Sequence, residues 1–302
     1  MIEQEKVAFY SSGFLLSAIL YRPSGSATNG TFPAVVICNG FTTIKELYVP
    51  PLAIAIAEAG FVAISFDYRG FGESEGPNGR LIPLEQVEDA RNAITYLVSR
   101  PEVDNGRIGI FGTSFGGGIA IAAAALDPRA RAVVGNTPVC NGERWLRSMR
   151  PYWDWVQFLA RLEADRVSCA LTGTSEFVDR AVIAPPDPEA QRTHAKQQQR
   201  PKIRLESGQA IIEFKPEDMV ERISPRPLLM IVATNDTRVA PDVSLPTFDR
   251  AREPKKLVLL NRVDHHEIYE LPARTDLLAV VLPWLKEHLN SGTDRRSVSF
   301  LL

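Results

Sequence analysis

A serine hydroxyl becomes a useful nucleophile only when an imidazole takes its proton and a carboxylate holds that imidazole in place. The 302-residue chain offers each of these groups at a telling position. Ser114 lies in Gly112-Thr113-Ser114-Phe115-Gly116, which matches the G-x-S-x-G turn that presents a serine between a strand and a helix. Alone this is a weak signal, since only three positions of five are fixed. Its surroundings strengthen it: RIGIF before it reads as a buried strand, and FGGGIAIAAAAL after it as a helix. On such a turn the serine backbone is strained, and the flanking glycines let neighbouring backbone approach without a Cβ clash. A glycine-rich turn that merely packs a helix onto a sheet is the competing reading.

The acid should end a later strand, and PLLMIVATND supplies Asp236 there, with Asp242 and Asp249 as rivals. A loop aspartate that only caps a helix is the plainer alternative. The base should follow the last strand, where KKLVLLNRVDHHEIYE places both His265 and His266. His194 lies in a polar stretch and His288 on a helical pattern, so neither sits on a post-strand loop. In such a set the histidine takes the Ser114 proton as Oγ attacks an acyl carbon, and then hands it to the leaving group. The oxyanion needs preorganised donors, each typically worth ~2.7 to 4 kcal/mol. One is the backbone N–H of Phe115, just after the serine. The other is that of Phe41, in the Asn39-Gly40-Phe41 loop after the run PAVVIC.

These residues need a scaffold that ends several strands at one edge. Short β-branched runs alternate with helical patterns, as a parallel sheet with crossover helices requires. The strands read as EKVAFY, FLLSAILYR, PAVVICN, FVAISFD, RIGIF, RAVVG, PLLMIVA and KKLVLLN. PAVVICN, FVAISFD and PLLMIVA are almost continuously apolar, the mark of strands covered on both faces. The first two runs alternate more and predict an antiparallel edge. Helices are predicted over PLAIAIAEAG, LEQVEDARNAITYLVSR, GGGIAIAAAAL and TDLLAVVLPWLKEHL. In the second of these, Val87, Ala90, Ile94, Leu97 and Val98 form one apolar stripe. From about Cys140 to Ser224 the rhythm breaks for too long to be a loop. The expected organisation is therefore a core over 1–139 and 225–290, a cap insertion over 140–224 and a flexible tail over 291–302.

Composition excludes several partners. A formal net charge of -2 gives no large positive field, so nucleic acid is a poor partner and a small molecule the expected one. The acidic start MIEQEKVAFY is not a secretory leader, and no run approaches the ~18 apolar residues of a membrane span. A cytoplasmic protein without membrane association is expected. Cys38, Cys140 and Cys169 are an odd number at no metal-like spacing and read as structural. Adjacent His265 and His266 cannot readily share one ion from a single loop, so no metal and no cofactor are expected. The apolar end SVSFLL leaves a homo-oligomer open.

With these groups in order, the chain from about Lys6 to Leu289 resembles the α/β-hydrolase superfamily. FDYRGFGESEG, Phe66 to Gly76, is similar to the superfamily's D-x-R-G-x-G-x-S segment, which implies structural roles for Asp67 and Arg69. More narrowly, NGFTTIKE, GTSFGGG and HHEIY resemble dienelactone-hydrolase-like proteins and hydrolases related to the X-prolyl dipeptidyl peptidases. Aligning HHEIY on their H-F-x-x-Y implies that His265 is the base and Tyr269 the tyrosine. Asp264 stands where they have glycine, which keeps His266 as a rival. Asn39 stands where many have histidine, so polarity on the substrate side is expected to differ. The dienelactone enzymes use cysteine at the elbow, so lactone specificity is not carried over.

The resemblance implies an α/β fold with a mostly parallel eight-stranded sheet, helices on both faces and a helical cap. It also implies a serine hydrolase of the esterase type, acting on a carboxylester, lactone or thioester through an acyl-enzyme on Ser114. Amide or carbon–carbon bond hydrolysis by the same triad, and an inactive hydrolase-like binding protein, are the alternatives. In the cap, Trp145, Tyr152, Trp153, Trp155 and Phe158 either line an acyl pocket or pack the cap together. Arg144, Arg147 and Arg150 read as a solvated helix face, with recognition of a substrate carboxylate as the other role.

Overall fold

In the computed structural model, which describes residues 2–25, 30–186 and 202–290, the β-branched runs pair into one eight-stranded sheet. Its strands are β1 (Ile2–Ser11), β2 (Phe14–Pro23), β3 (Phe32–Cys38), β4 (Val62–Phe66), β5 (Val103–Thr113), β6 (Ala130–Asn136), β9 (Leu228–Ala233) and β10 (Lys255–Leu260). A separate antiparallel pair, β7 (Phe177–Asp179) and β8 (Lys202–Arg204), lies in the stretch between β6 and β9. The order across the sheet is β1-β2-β4-β3-β5-β6-β9-β10. β1 pairs with β2, and β2 with β4, antiparallel; the remaining pairs are parallel. All eight runs read from the sequence are strands of this sheet, and the alternating pair forms the antiparallel edge.

Period-two alternation then sorts the side chains onto two faces. Ala34, Val36 and Cys38 of β3 join the core under α2 (Pro83–Val98) and α3 (Phe115–Leu126). Val35 and Ile37 join the opposite core under α1 (Pro50–Glu58) and α9 (Ala273–Asn290). α2 opens with Pro83 at its first helical position, where a missing N–H costs nothing, and buries Val87, Ala90, Ile94 and Leu97. α3 is apolar and rich in glycine and alanine and buried on nearly all sides, which is why its sequence shows no polar face.

Strand order reverses at β3. The chain passes from β3 outward to β4, then returns to β5 on the other side of β3. At such a switch point the loops leaving neighbouring strands diverge and open a crevice at their carboxyl ends. The loops after β3 and β5, carrying Phe41 and Ser114, flank that crevice.

Between β6 and β9 lie α4 (Gly142–Ser148), α5 (Tyr152–Thr172), α6 (Arg180–Ile183) and α7 (Glu206–Glu213), with the β7–β8 pair and two short 3-10 turns. α8 (Pro241–Arg250) follows β9. The arginines here are not a solvated face. Arg150 is buried, its guanidinium 4.1 Å from the Phe158 ring and bonded to the carbonyls of Leu146, Val182 and Ile183. Burial pushes its pKa down to about 10. Arg144 pairs with the buried Glu217 at 2.9 Å, and only Arg147 is exposed. Much of the proline- and glutamine-rich linker, including His194, and the tail 291–302 lie outside the described residues. Among the described residues no helix is long and apolar enough to cross a membrane.

A buried charge cluster fixes the loop after β3. The Lys45 ammonium, fully buried, lies 2.7 Å from Asp67, 2.8 Å from Glu46 and 2.9 Å from Glu73. Burial alone would lower the Lys45 pKa, but hydrogen bonds to the three carboxylates more than offset it and leave the ammonium above its ordinary value. Asp67 also accepts the Lys45 and Glu73 backbone N–H. Glu46, Asp67 and Glu73 are close enough together to hold a metal ion, but Lys45 already supplies the positive charge among them. Arg69 makes a second such anchor, to Asp89 at 2.6 Å and to Ser11. Asp67→Ala removes the buried carboxylate of the three and leaves the Lys45 ammonium with Glu46 and Glu73 alone, for which the expected loss is about 2 kcal/mol of unfolding free energy, measurable by urea denaturation.

Candidate active site

Ser114 sits between β5 and α3 with φ 57° and ψ -126°, a left-handed conformation that a residue with a Cβ adopts only under constraint. The constraint is visible. Ser114 N–H donates to the Asn136 carbonyl at 2.9 Å, and its own carbonyl accepts from Gly117 at 2.9 Å and Val139 at 3.0 Å. The elbow is thus clamped to the end of β6 on one side and to the first turn of α3 on the other.

Two glycines permit this. A Cβ on Gly116 would collide with the backbone carbonyls of Cys38 and Asn39, and one on Gly112 with the carbonyl of Gly116. The first turn of α3 therefore lies directly on the end of β3. The same approach brings Gly40 against Ser114, where an added Cβ would be 3.8 Å from the serine Cβ. The two segments whose N–H groups are the oxyanion candidates, Gly40-Phe41 and Ser114-Phe115, hence abut. Their side chains pack together as well: the Phe41 and Phe115 rings lie 5.9 Å apart, and each lies 5.6 Å from Trp145. Phe115 opens a twelve-residue helix, whose N-terminal N–H groups and dipole favour negative charge.

The carboxylate and the imidazole arrive from the next two strands. Asp236 follows β9, is buried, and accepts at Oδ1 from the Arg238 and Val239 N–H at 2.8 and 2.7 Å. Its Oδ2 lies 2.7 Å from Nδ1 of His265, which follows β10 and is also buried. The carboxylate is held on one oxygen and fixes the ring with the other. Asp242 and Asp249 are exposed on α8. His266 stands edge-to-face against His265 at 5.5 Å, and it is His265 that meets Asp236.

Ser114 and His265 line one cavity of about 440 Å³. Phe41, Leu47, Tyr48, Phe71, Trp145 and Tyr269 supply much of its wall. Trp145 is pinned by its indole N–H on the Arg238 carbonyl at 2.9 Å. Of the aromatics expected in a cap, Trp145 alone lies on this wall among the described residues. Tyr152 and Trp153 are exposed at 72% and 64%, and Trp155 packs on Phe158 with rings 5.9 Å apart. The Asn39 side chain turns away from the cavity and donates to the Phe66 carbonyl at 2.6 Å, so it ties β3 to β4 and adds no polarity on the substrate side. Burial pushes the Cys38 and Cys140 thiols up to about 12, so neither offers a thiolate near neutral pH.

The cationic lining residues, Arg180, Lys202 and Arg238, were not marked by the sequence pattern. Arg180 and Lys202 flank the long linker and reach the cavity because β7 and β8 pair across it. Tyr269, which the alignment on H-F-x-x-Y marks, also lines the cavity and carries a contact that the motif does not spell out. Its hydroxyl lies 2.5 Å from Thr113 Oγ1, bridging the loop that bears His265 to the residue before Ser114. Burial pushes the phenol up to about 12, so the bridge is between two neutral hydroxyls.

Three comparisons agree with this architecture. The profile of the X-Pro dipeptidyl-peptidase (S15) family matches residues 12–267. An uncharacterized 31.7 kDa Escherichia coli protein of the traX-finO intergenic region is 31% identical over 278 residues, 90% of this chain and 96% of its own. A thiohydrolase of Eupenicillium brefeldianum is 29% identical over 78% of this chain and 80% of its own. A hypothetical protein from Pseudomonas aeruginosa superposes with a TM-score of 0.83 at 26% identity, covering 95% of this chain and 94% of the other.

If the Tyr269–Thr113 bridge sets the spacing between imidazole and serine, Tyr269→Phe slows fluorophosphonate labelling of Ser114 about tenfold. Thr113→Val has the same effect, the double variant adds little, and Thr113→Ser keeps the parental rate. Equal labelling of all four would remove the bridge from the account.

Proposed function

The chain belongs to the X-Pro dipeptidyl-peptidase (S15) family of α/β-hydrolases, and from that premise we propose that it cleaves a small ester or thioester through an acyl-enzyme on Ser114. The observation that carries this reading is the 2.7 Å contact between His265 Nδ1 and Asp236 Oδ2, beside a cavity that Ser114 also lines. A carboxylate on Nδ1 selects the tautomer whose Nε2 is unprotonated, the form able to accept a proton from a hydroxyl.

The steps follow from that arrangement. His265 Nε2 takes the Ser114 proton as Oγ adds to the acyl carbon, and Asp236 stabilises the imidazolium that results. Negative charge gathers on the carbonyl oxygen, and the Phe115 and Phe41 N–H groups are the donors that receive it. Collapse expels the alkoxide or thiolate, which takes the proton from His265 and departs as the alcohol or thiol. Water, deprotonated by the same imidazole, then releases the acid and restores Ser114. The strain held at Ser114 keeps Oγ at the tip of the turn, so that little of this geometry must be created at the moment of reaction.

A thioester fits alongside an oxygen ester because the thiohydrolase relative covers most of the chain and the cavity wall is largely aromatic and aliphatic. Hydrolysis of p-nitrophenyl esters and acyl thioesters by purified protein tests the reading. Ser114→Ala is expected to lower kcat at least ~10³-fold, and Asp236→Asn about 10⁴-fold, because the altered side chain favours the wrong tautomer. Combining the two should cost no more than the larger single loss, as residues of one relay act together. Parental turnover by folded Ser114→Ala protein would end the proposal.

A further inference from the structure

The charges around the cavity carry an inference about what enters it. Among the described lining residues Arg180, Lys202 and Arg238 are cationic, and none is an aspartate or glutamate. Of the nearby carboxylates, Asp236 is turned onto His265 and the Arg238 and Val239 N–H groups, and Asp67, directly behind Gly72, is turned onto the Lys45 ammonium. Arg238 is committed to the fold, its guanidinium bonded to the carbonyls of Ala184 and Pro185, but its charge still contributes to the field. Arg180 lies with its guanidinium carbon 5.3 Å from the Phe41 ring, next to the candidate oxyanion segment.

Lys202 is the most telling of the three. It is exposed at the start of β8 and lines the main cavity at its rim. It also lines a second cavity of about 280 Å³, walled by Gly70, Gly72, Ser74, Gly76, Asn78 and Gly79. The two cavities share Phe71, Gly72 and Lys202, so they adjoin along one crevice with the lysine between them. β8 is held there by backbone contact, since Arg204 N–H donates to the Gly79 carbonyl at 2.8 Å.

Resting on the hydrolase reading above, we propose that this crevice selects acyl substrates bearing an anionic group, a carboxylate or a phosphate, which the Lys202 ammonium meets at the junction of the two cavities. A concave site with low-dielectric walls focuses the field of its charges, so one sign of charge on its rim raises the local concentration of the opposite sign. Carboxylate and phosphate oxygens form charge-assisted hydrogen bonds to an ammonium that a neutral ester cannot make. A peptide entering with a free α-ammonium would instead meet like charge. The anionic group has two possible sources: the far end of the acyl chain, or a phosphate-bearing thiol leaving group running into the glycine-walled arm.

Two matched substrate pairs separate them. The first is p-nitrophenyl hemiglutarate against p-nitrophenyl pentanoate; the second is hexanoyl-coenzyme A against hexanoyl-N-acetylcysteamine. In at least one pair the anionic member is expected to show about tenfold higher kcat/KM, expressed in KM and shrinking as ionic strength rises past ~0.1 M. The pair that shows it identifies the source. Lys202→Ala should bring that ratio toward one, and Lys202→Arg should restore it. Neutral members turned over as well as anionic ones, or a ratio that Lys202→Ala leaves unchanged, overturns the anion site and leaves the hydrolase standing. No Ser114-dependent turnover of any of the four overturns both.

Discussion

The contact on which the rest depends is between two stretches of main chain. The first turn of α3 rests on the carbonyls that end β3, so closely that Gly116 has no room for a Cβ. This approach is possible only where β3 and β5 are neighbours in the sheet and the chain leaves them in different directions. It places the turn bearing Ser114 beside the loop bearing Phe41, and in doing so makes one pocket from two segments more than seventy residues apart in sequence. Backbone packed on backbone is stiff, since neither side can relax by changing a rotamer. That stiffness holds Ser114 in a conformation it would otherwise leave.

Around this fixed point the remaining groups are hung on separate supports. The loop after β3 is tied down by Lys45 and its carboxylates, so the Phe41 segment is held from behind as well as by the elbow. Asp236 has no freedom to turn, because two backbone N–H groups occupy the oxygen that does not meet His265. Tyr269 spans from the histidine loop to Thr113 and links the last support back to the first. Each of these ties comes from a different part of the chain, and each is buried or half-buried, where a hydrogen bond or ion pair loses most when broken.

The sheet and the elbow were readable because their signals are local. A buried parallel strand must be apolar along its length, and PAVVICN, FVAISFD and PLLMIVA satisfy that without reference to anything distant. Ser114, Asp236 and His265 were readable for a related reason: each is placed by the strand that ends just before it. The stretch between β6 and β9 was not, because its side chains are placed by partners far along the chain. Arg150 has the spacing of a helix-surface residue, yet it is the charged plug among three carbonyls and a phenylalanine ring. Tyr152 and Trp153 have the composition of pocket residues and point to solvent. Asn39 was expected to alter polarity on the substrate side relative to histidine, and its side chain donates to the Phe66 carbonyl. α8 was hidden by its own prolines, Pro241 and Pro246.

The same division separates chemistry from selection. Ser114, His265 and Asp236 are fixed by strands of the sheet, and the sheet has few ways to vary without losing its core. Trp145, Arg180 and Lys202 reach the cavity from the intervening stretch, by way of one short helix and a three-residue strand pair. The short strand pair constrains the sheet little, so Arg180 and Lys202 can change without disturbing the contact between His265 and Asp236. Nearly all of the cavity's excess positive charge sits on these elements or is anchored to them, Arg238 through the carbonyls of Ala184 and Pro185. A positive rim also bears on the reaction itself. On the proposed mechanism, cations near a developing oxyanion lower its energy over several ångströms in a water-poor cleft, so the groups that would choose an anionic substrate would also favour the negative charge that gathers on its carbonyl oxygen.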